Sequence, residues 1–539
     1  MGRQQEAEKA LHDQTNILPK TQVLIVFVAL AFALMICVID QNALGVSLPT
    51  IGKDLRGENT ITWAGTANMI GNTIFIVLYG RLSDIFGRKR VFVVSLVILC
   101  LADVGCSVAN SAPLFYVFRG LAGVGNGGIV SLTTIIVSDV VTLQDRGKYQ
   151  GILGFFVGVG NIIGPFLVAA FIQNETWRAF FYMLSPAALA CAAISWWLLP
   201  DNIKSEALLP NLKRIDYYGV IASSAGILLL LIPISGGGSY FSWNSPMVIS
   251  MLVLGAVAML VFVFVEFKVA VLPMMPMYQT YLYYLPIYFQ NVRLWDPMKS
   301  ATLLIPIVAG QAIGSITSGN YISWRSSYGA VLWTGFGLWT LGAGLTILFD
   351  RETPEWQIVV SLSLVGLGVG HVFQPTIIAI QAHSPKSYRA VVISNRNFYR
   401  CLGSSTGLAV SAALLQVVLK SNLPAAYSHL ANSTYVVPNN LPVEDMDSVL
   451  GAYMKASHAV FILQAPLIGL GFLGCALVPD RGLERPPEPG EESEELEEAE
   501  GQPGSGAQRA EGSYAMQSKS QDVERQLTRE RSRHEPAAV

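Results

Sequence analysis

The chain has 539 residues, of which 52% are hydrophobic and only 13% charged, and its mean hydropathy is +0.46. An ordinary soluble domain carries about 25% charged residues, so this composition excludes a water-facing surface of this size and fits helices that face lipid. The formal net charge of −2 carries no signal for a nucleic-acid partner, and none is expected.

Spanning a bilayer takes roughly 20 mostly apolar residues. By that rule the candidate spans fall at about 22–48, 63–79, 91–110, 114–138, 150–172, 179–199, 217–236 and 246–267. They continue at about 269–291, 301–322, 329–349, 357–381, 391–418 and 457–478, fourteen in all. The first run begins near Thr21 and is long enough to span, so it is read as an uncleaved first helix. The ninth is irregular: it holds Pro273, Pro276 and Pro286 together with Gln279 and Thr280, and an interior proline breaks a helix. All six cysteines (Cys37, Cys100, Cys106, Cys191, Cys401 and Cys475) lie in apolar stretches without paired spacing, which predicts buried thiols rather than a disulfide or metal framework.

Lysine and arginine in short loops set orientation. With the N-terminus cytosolic, the first half places Arg81, Arg88, Lys89, Arg90, Arg146, Lys148, Lys204, Lys213 and Arg214 inside, against Lys53, Arg56 and Arg178 outside. The second half shows little bias. The loop 419–456 is then external and carries the sequon Asn432-Ser433-Thr434, a candidate glycosylation site; a second sequon at Asn174 sits too close to the membrane for modification. From Asp480 onward the chain is rich in Pro, Gly and Glu and is predicted to be a disordered cytosolic tail.

Ionisable residues inside spans are costly and need a reason. Asp40 lies late in the first span and Arg119 early in the fourth, and the two spans run in opposite directions. The charges therefore sit at matching depth, about 9–14 Å from the outer boundary at 1.5 Å per residue. Such a pair can exchange a proton for substrate or can be a static ion pair. Asp103, nearer its span's outer end, is expected to reach headgroups. The loop from Gly80 to Arg90 sets Gly80, Asp84 and Gly87 at regular spacing before Arg88, Lys89 and Arg90, a pattern suited to a tight charged clip between two helices. In the fifth span, Gly160 and Gly164 make a small-residue face for close helix approach and Pro165 weakens the helix beside it. The fourth span carries Gly120, Gly123, Gly125, Gly127 and Gly128 for the same purpose; no phosphate loop follows from them. In the second half, His371, Gln374, Arg396 and Arg400 can line a polar route, while Arg396 and Arg400 can equally snorkel to headgroups. Trp196-Trp197 and Tyr283-Tyr284 are read as interface belts.

These motifs resemble those of the major facilitator superfamily, and more narrowly its fourteen-span drug:proton antiporter family, over roughly residues 20–480 and with a fungal character. The segment 80–90 resembles the signature between the second and third spans, and Gly160 to Pro165 the fifth-span antiporter element. Arg119 with Gly123 and Gly125 is similar to the fourth-span signature, Asp40 through Pro49 to the first-span element, Asp139 and Asp145-Arg146-Gly147 to the fourth-span end, and Ser394 to Asn397 to the thirteenth-span element. The resemblance implies an all-α polytopic membrane protein with two pseudo-symmetric six-helix halves and two linking helices. The corresponding segments are 1–20 cytosolic, 21–200 first half, 201–268 linking spans, 269–479 second half and 480–539 tail. It implies a monomer exporting amphipathic drugs or toxic metabolites against proton entry, powered by the proton gradient with no cofactor, in the plasma or vacuolar membrane with both termini cytosolic. Two departures stand out: Ala169-Ala170 replaces a Gly-Gly pair, and Met275-Pro276-Met277 runs almost directly into Tyr281, which shortens the ninth span. Uptake or vacuolar transport of a nutrient, such as a basic amino acid or an iron chelate, is the alternative on the same fold. A non-transporting sensor or truncated remnant is a third reading. No nucleophile or metal constellation marks an enzyme.

Overall fold

The computed structural model describes residues 20–57, 60–61, 63–141, 143–199, 244–266, 278–382, 389–432 and 442–477, with isolated positions between 224 and 241 and at 480 and 482. Most of the seventh predicted span (all but the helical positions 224–226, 228–230 and 232–233), the Met275–Met277 junction, the N-terminal segment to residue 19, the sequon's Ser433 and Thr434, and the tail from 485 lie outside the described residues. The described residues all fall within one compact unit.

The long described helices are α1 (Lys20–Asp54), α2 (Trp63–Phe86), α3 (Arg88–Val108), α4 (Ala112–Val140), α5 (Leu143–Asn174), α6 (Trp177–Leu198) and α7 (Pro246–Glu266). They continue with α8 (Tyr278–Asn291), the short α9 (Pro297–Thr302), α10 (Ile305–Arg325), α11 (Gly329–Thr346), α12 (Glu355–Ala382), α13 (Arg389–Asn422) and α14 (Val443–Gly474). No strand occurs among the described residues. Ten of these segments are long and apolar enough to cross a membrane. In lipid every backbone polar group must be satisfied within its own segment, and a helix does this.

The surface confirms lipid as the solvent. Leu101, Leu189 and Ile313 project outward from mid-helix positions, whereas Asp40, Arg119, Arg146 and Gln381 are buried. Trp197 and Trp324, at helix ends, are 85% and 78% exposed, as interface tryptophans are. Tyr284 departs from the belt reading: it is buried, and its hydroxyl donates to Leu408 O at 3.1 Å.

Several helices outrun the predicted spans. The last begins at Val443 rather than near 457, which shortens the predicted loop 419–456 to the segment between Asn422 and Val443. Hydropathy registers only the lipid-facing stretch, and Asp445, Asp447 and Lys455 depress it. Val449, Tyr453 and Ala456 nevertheless form a helical stripe buried among Leu419, Leu423 and Leu430. α8 is 14 residues long, about 21 Å at 1.5 Å per residue.

The packing repeats. α4 packs on α2, α3 and α1, α3 packs on α6, and α1 on α5. In the second half α12 packs on α10 and α11, α11 on α14, and α8 on α13. Glycines bring α4 close to its neighbours: a Cβ on Gly125 would lie 2.8 Å from Leu99 N, and one on Gly127 2.9 Å from Asn72 O. The halves meet mainly through α5 with α10 and α2 with α13. Exchanging the halves turns one of these contacts into the other.

Candidate functional site

The deepest charges lie in the first half. Arg119 Nη1 donates to Asp40 Oδ1 at 2.6 Å and Nη2 to Oδ2 at 3.3 Å. Asn126, seven residues along α4 on the same face, donates from Nδ2 to Asp40 Oδ2 at 2.9 Å. All three residues are 0% exposed. The Arg119 guanidinium also lies 5.7 Å from the centre of the Phe181 ring on α6. Removing one partner of such a pair leaves an uncompensated buried charge, at about 3–5 kcal/mol. Asp103 on α3 joins this cluster instead of reaching headgroups: it is buried, and it interacts with both Asp40 and Arg119. Its position along α3 is near the end, but its face of the helix points to α4.

A polar ring links the halves beside this cluster. Asn42 Nδ2 donates to Asn161 Oδ1 at 2.8 Å, and Asn161 Nδ2 to Gln311 Oε1 at 3.5 Å. Tyr278 Oη donates to the same Gln311 oxygen at 2.5 Å, and Gln279 Nε2 donates to Asn42 Oδ1 at 3.3 Å. The ring thus closes through α1, α5, α10 and α8. Gly160 and Gly164 let α5 approach α1 at this level: a Cβ on Gly160 would sit 3.0 Å from Val38 Cγ1, and one on Gly164 2.9 Å from Ile39 O. Pro165 lies one residue further along α5.

The second half presents cations of another kind. Arg396 is 7% exposed and does not snorkel: Nη1 donates to Asn397 Oδ1 at 3.0 Å, and Nη2 to Thr376 Oγ1 at 3.1 Å and to Phe373 O. Its Nε has no hydrogen-bond partner among the described residues. Arg400, one turn further along α13, is half-buried, reaches Cys401 Sγ at 3.8 Å and acts electrostatically on Cys37 of the first half. Neither arginine forms an ion pair among the described residues. Gln374 lies where α5, α10 and α12 meet, its Nε2 3.1 Å from where a Cβ on Gly154 would stand. His371 is turned elsewhere, between α10 and α11: Nδ1 is 2.8 Å from Leu367 O, and Nε2 is 3.4 Å from the exposed Thr317.

The charged loop 80–90 forms a local cluster at the basic end. Arg88 binds Asp84 at 2.6 Å, Asp139 at 3.0 Å and also Ser83. Gly87 has φ 91°, the left-handed region open to glycine. Lys89 Nζ stacks 5.1 Å from the Trp196 ring, and Arg90 is exposed. Gly80 abuts Ala390 and Ser394 of α13, and Ser394 lies 3.0 Å from Ser131. Arg146, 0% exposed, donates to Ser138 O at 2.6 Å and across the halves to Gln381 Oε1 at 3.3 Å. A Cβ on Gly147 would lie 2.5 Å from Gly319 O, so these helices touch backbone to backbone. Asn432 ends a short 3₁₀ segment, Ala425–Asn432.

Sequence reasoning passed over Asn126, Gln311 and the full burial of Asp103. The first two are neutral amides inside apolar spans, a weaker signal than a charge but the same kind.

Residues 30–408 match the family model described as Major Facilitator Superfamily. Citrate exporter 1 of Yarrowia lipolytica (strain CLIB 122 / E 150) is 45% identical over 503 residues, covering 88% of this chain and 75% of that protein. MFS-type transporter clz4 of Cochliobolus lunatus is 40% identical over 500 residues, covering 89% of this chain and 90% of that protein. Among solved structures, the proton:xylose symporter XylE bound to 6-bromo-6-deoxy-D-glucose aligns with a TM-score of 0.58 at 14% identity, covering 87% of this chain and 98% of that one. At that identity the likeness is one of fold.

Proposed function

Because this chain belongs to the Major Facilitator Superfamily of integral membrane transporters, we propose that it is a proton-coupled exporter of organic anions, with polycarboxylates as the first candidates. One observation carries this reading: Arg396 is buried without a carboxylate partner, and its Nε is unused. A buried guanidinium is costly until paired, and its fork of donors matches a carboxylate. Arg400 adds a second positive charge one turn away, toward the first half. A substrate with two or more carboxylates would bridge them. The relative named as a citrate exporter supports the same chemistry.

Protons act in the other half. Protonation of Asp40 would release Arg119 and loosen α1 from α4, and the halves would then rock about the bound anion. The gradient supplies the energy, with no cofactor. The basic loop, Arg88 with Asp84 and Asp139, would face the cytosol together with both termini, in a monomer at the plasma membrane. Arg146 and the Gly147–Gly319 contact would latch that face shut.

The test uses purified protein in liposomes, with labelled citrate on the side of the basic loop and acid on the other. Citrate flux driven by the pH gradient is expected, with Arg396→Gln lowering apparent affinity at least about 10-fold, the equivalent of 1.4 kcal/mol. A second reading, export of an amphipathic metabolite, is favoured by the aromatic set Tyr278, Phe373 and Trp339, whose rings pack edge to face at 5.8 and 6.2 Å. Extrusion of a lipophilic cationic dye with no citrate flux would overturn the anion assignment in its favour.

A further inference from the structure

The first half holds a second buried carboxyl that the pairing of Asp40 with Arg119 leaves unused. Asp103 is 0% exposed, and neither of its oxygens accepts a hydrogen bond from an N–H or O–H donor among the described residues. It nonetheless lies within hydrogen-bonding reach of the Asp40 carboxyl and within electrostatic reach of Arg119. Both Asp40 oxygens are already acceptors, from Arg119 and Asn126. The other titratable groups facing the cluster are Cys37 on α1 and Cys100 and Cys106 on α3, and Arg400 on α13 acts on Cys37 from the second half.

Charge counting decides the state. Two carboxylates and one guanidinium leave a net charge of minus one in a pocket closed to water, and like charges in contact oppose each other's ionisation. One proton makes the cluster neutral. Asp40 is committed to accepting from three donor groups, so the proton belongs on Asp103, which can donate it to an Asp40 oxygen.

We propose that Asp40 and Asp103 form a shared proton site, in which the proton rests on Asp103 while Arg119 holds Asp40. In the transfer, the Oδ–H bond of Asp103 breaks and one forms on Asp40. The negative charge passes to Asp103, where Arg119 still reaches it. The guanidinium therefore keeps a counter-charge on either side of the step, which Asp40 alone would not provide. This inference deepens the reading of Asp40 and Arg119 as the coupling pair.

Infrared spectroscopy of the full-length protein in lipid nanodiscs, with carboxyl-labelled aspartate, tests it. Wild type at neutral pH is expected to show a band from a protonated, buried aspartic acid. Asp103→Asn removes the carrier. Asp40→Asn should also abolish the band, because Asp103 then becomes the sole counter-ion of Arg119 and ionises. Absence of the band in wild type would overturn the proposal without needing any variant to fold. Its survival in folded Asp40→Asn would overturn sharing, since an acid kept neutral by burial alone ignores its neighbour. In liposomes, Asp103→Asn should cut gradient-driven accumulation at least tenfold while sparing substrate exchange; unchanged coupling would likewise overturn the proposal. Failure of citrate flux with the bands as expected would remove the anion assignment and leave the proton site standing.

Discussion

The two halves of the molecule share one packing pattern but treat buried charge in opposite ways. In the first half, Arg119 meets Asp40, Asn126 and Asp103, and Arg88 meets Asp84 and Asp139. In the second, Arg396 meets only neutral groups, Asn397, Thr376 and a backbone carbonyl. A compensated cluster is a structural element that protons can retune. An uncompensated cation has the chemistry that the proposed anion would satisfy. The helical frame is common to both halves, so the contrast lies in the side chains placed on it.

The largest expected effect comes from breaking the first pattern. Arg119→Ala strands Asp40 and should cost about 3–5 kcal/mol, read as a lowered thermal midpoint in detergent or as lost yield. The double variant Arg119→Ala with Asp40→Ala should recover a large part of that loss, since both charges then leave the pocket. Equal destabilisation by the single and double variants would contradict a coupled pair.

The second half should respond with the opposite sign. Arg396→Gln removes a buried cation that no carboxylate balances, while Gln can still donate to the Phe373 carbonyl. The empty protein should become more stable, by up to about 1–3 kcal/mol on the scale of relieving an unpaired buried polar group. Stabilisation by citrate should disappear at the same time. A variant that is both less stable and fully citrate-responsive would erase the contrast between the halves.

These contrasts were only partly legible in the sequence. Asp40 and Arg119 announced themselves because a charge in an apolar run has few innocent explanations. Their depth followed from helix rise, so their pairing was within reach. Asp103 differs from its expected place because position along a helix gives depth but not azimuth, and a residue near the lipid boundary can still face inward. For the same reason the sequence of α13 does not distinguish headgroup from cavity for Arg396. The closeness of Gly147 and Gly319 was invisible: small residues predict that a helix can approach another, not which one. Hydropathy found the first, third and sixth helices well but cut the last one short, because Asp445 and Asp447 belong to a helix that continues past the lipid.

The interface between the halves offers a smaller and more local test. Gly319→Ala places a methyl against the Gly147 carbonyl, where the backbone has no room to yield, so the basic end should open. The expected readout is increased labelling of an engineered cysteine at Ser323, which accepts from Lys148 N at 3.0 Å across the same contact. The equivalent contact of α2 with α13 involves the flexible Ser394 hydroxyl as well as backbone, so Gly80→Ala should open it less. Reversed sensitivities would show that the two contacts, though exchanged by the pseudo-symmetry, do not latch as that geometry requires.

The smallest effect lies outside the lipid, at the far end of the first half. Arg178 hydrogen-bonds Asp54 and holds its carboxyl below the ordinary range, aided by Trp177 Nε1 at 3.1 Å. A carboxylate whose pKa is lowered by folding contributes stability that is complete above its unfolded value and lost as pH falls through the folded one. The contribution should therefore be present at neutral pH and vanish on the acid side. The pair is largely open to solvent, with side-chain exposures of 29% and 46%, so its worth stays under about 1 kcal/mol. Asp54→Asn should lower stability slightly at neutral pH and converge with wild type on the acid side, which flattens the acid limb of the stability curve. A buried cluster would behave otherwise: replacing Asp40 should alter stability at every pH where its carboxylate is held by Arg119. The exposed pair thus calibrates the buried one, because both join an α1 aspartate to an arginine and differ chiefly in access to water.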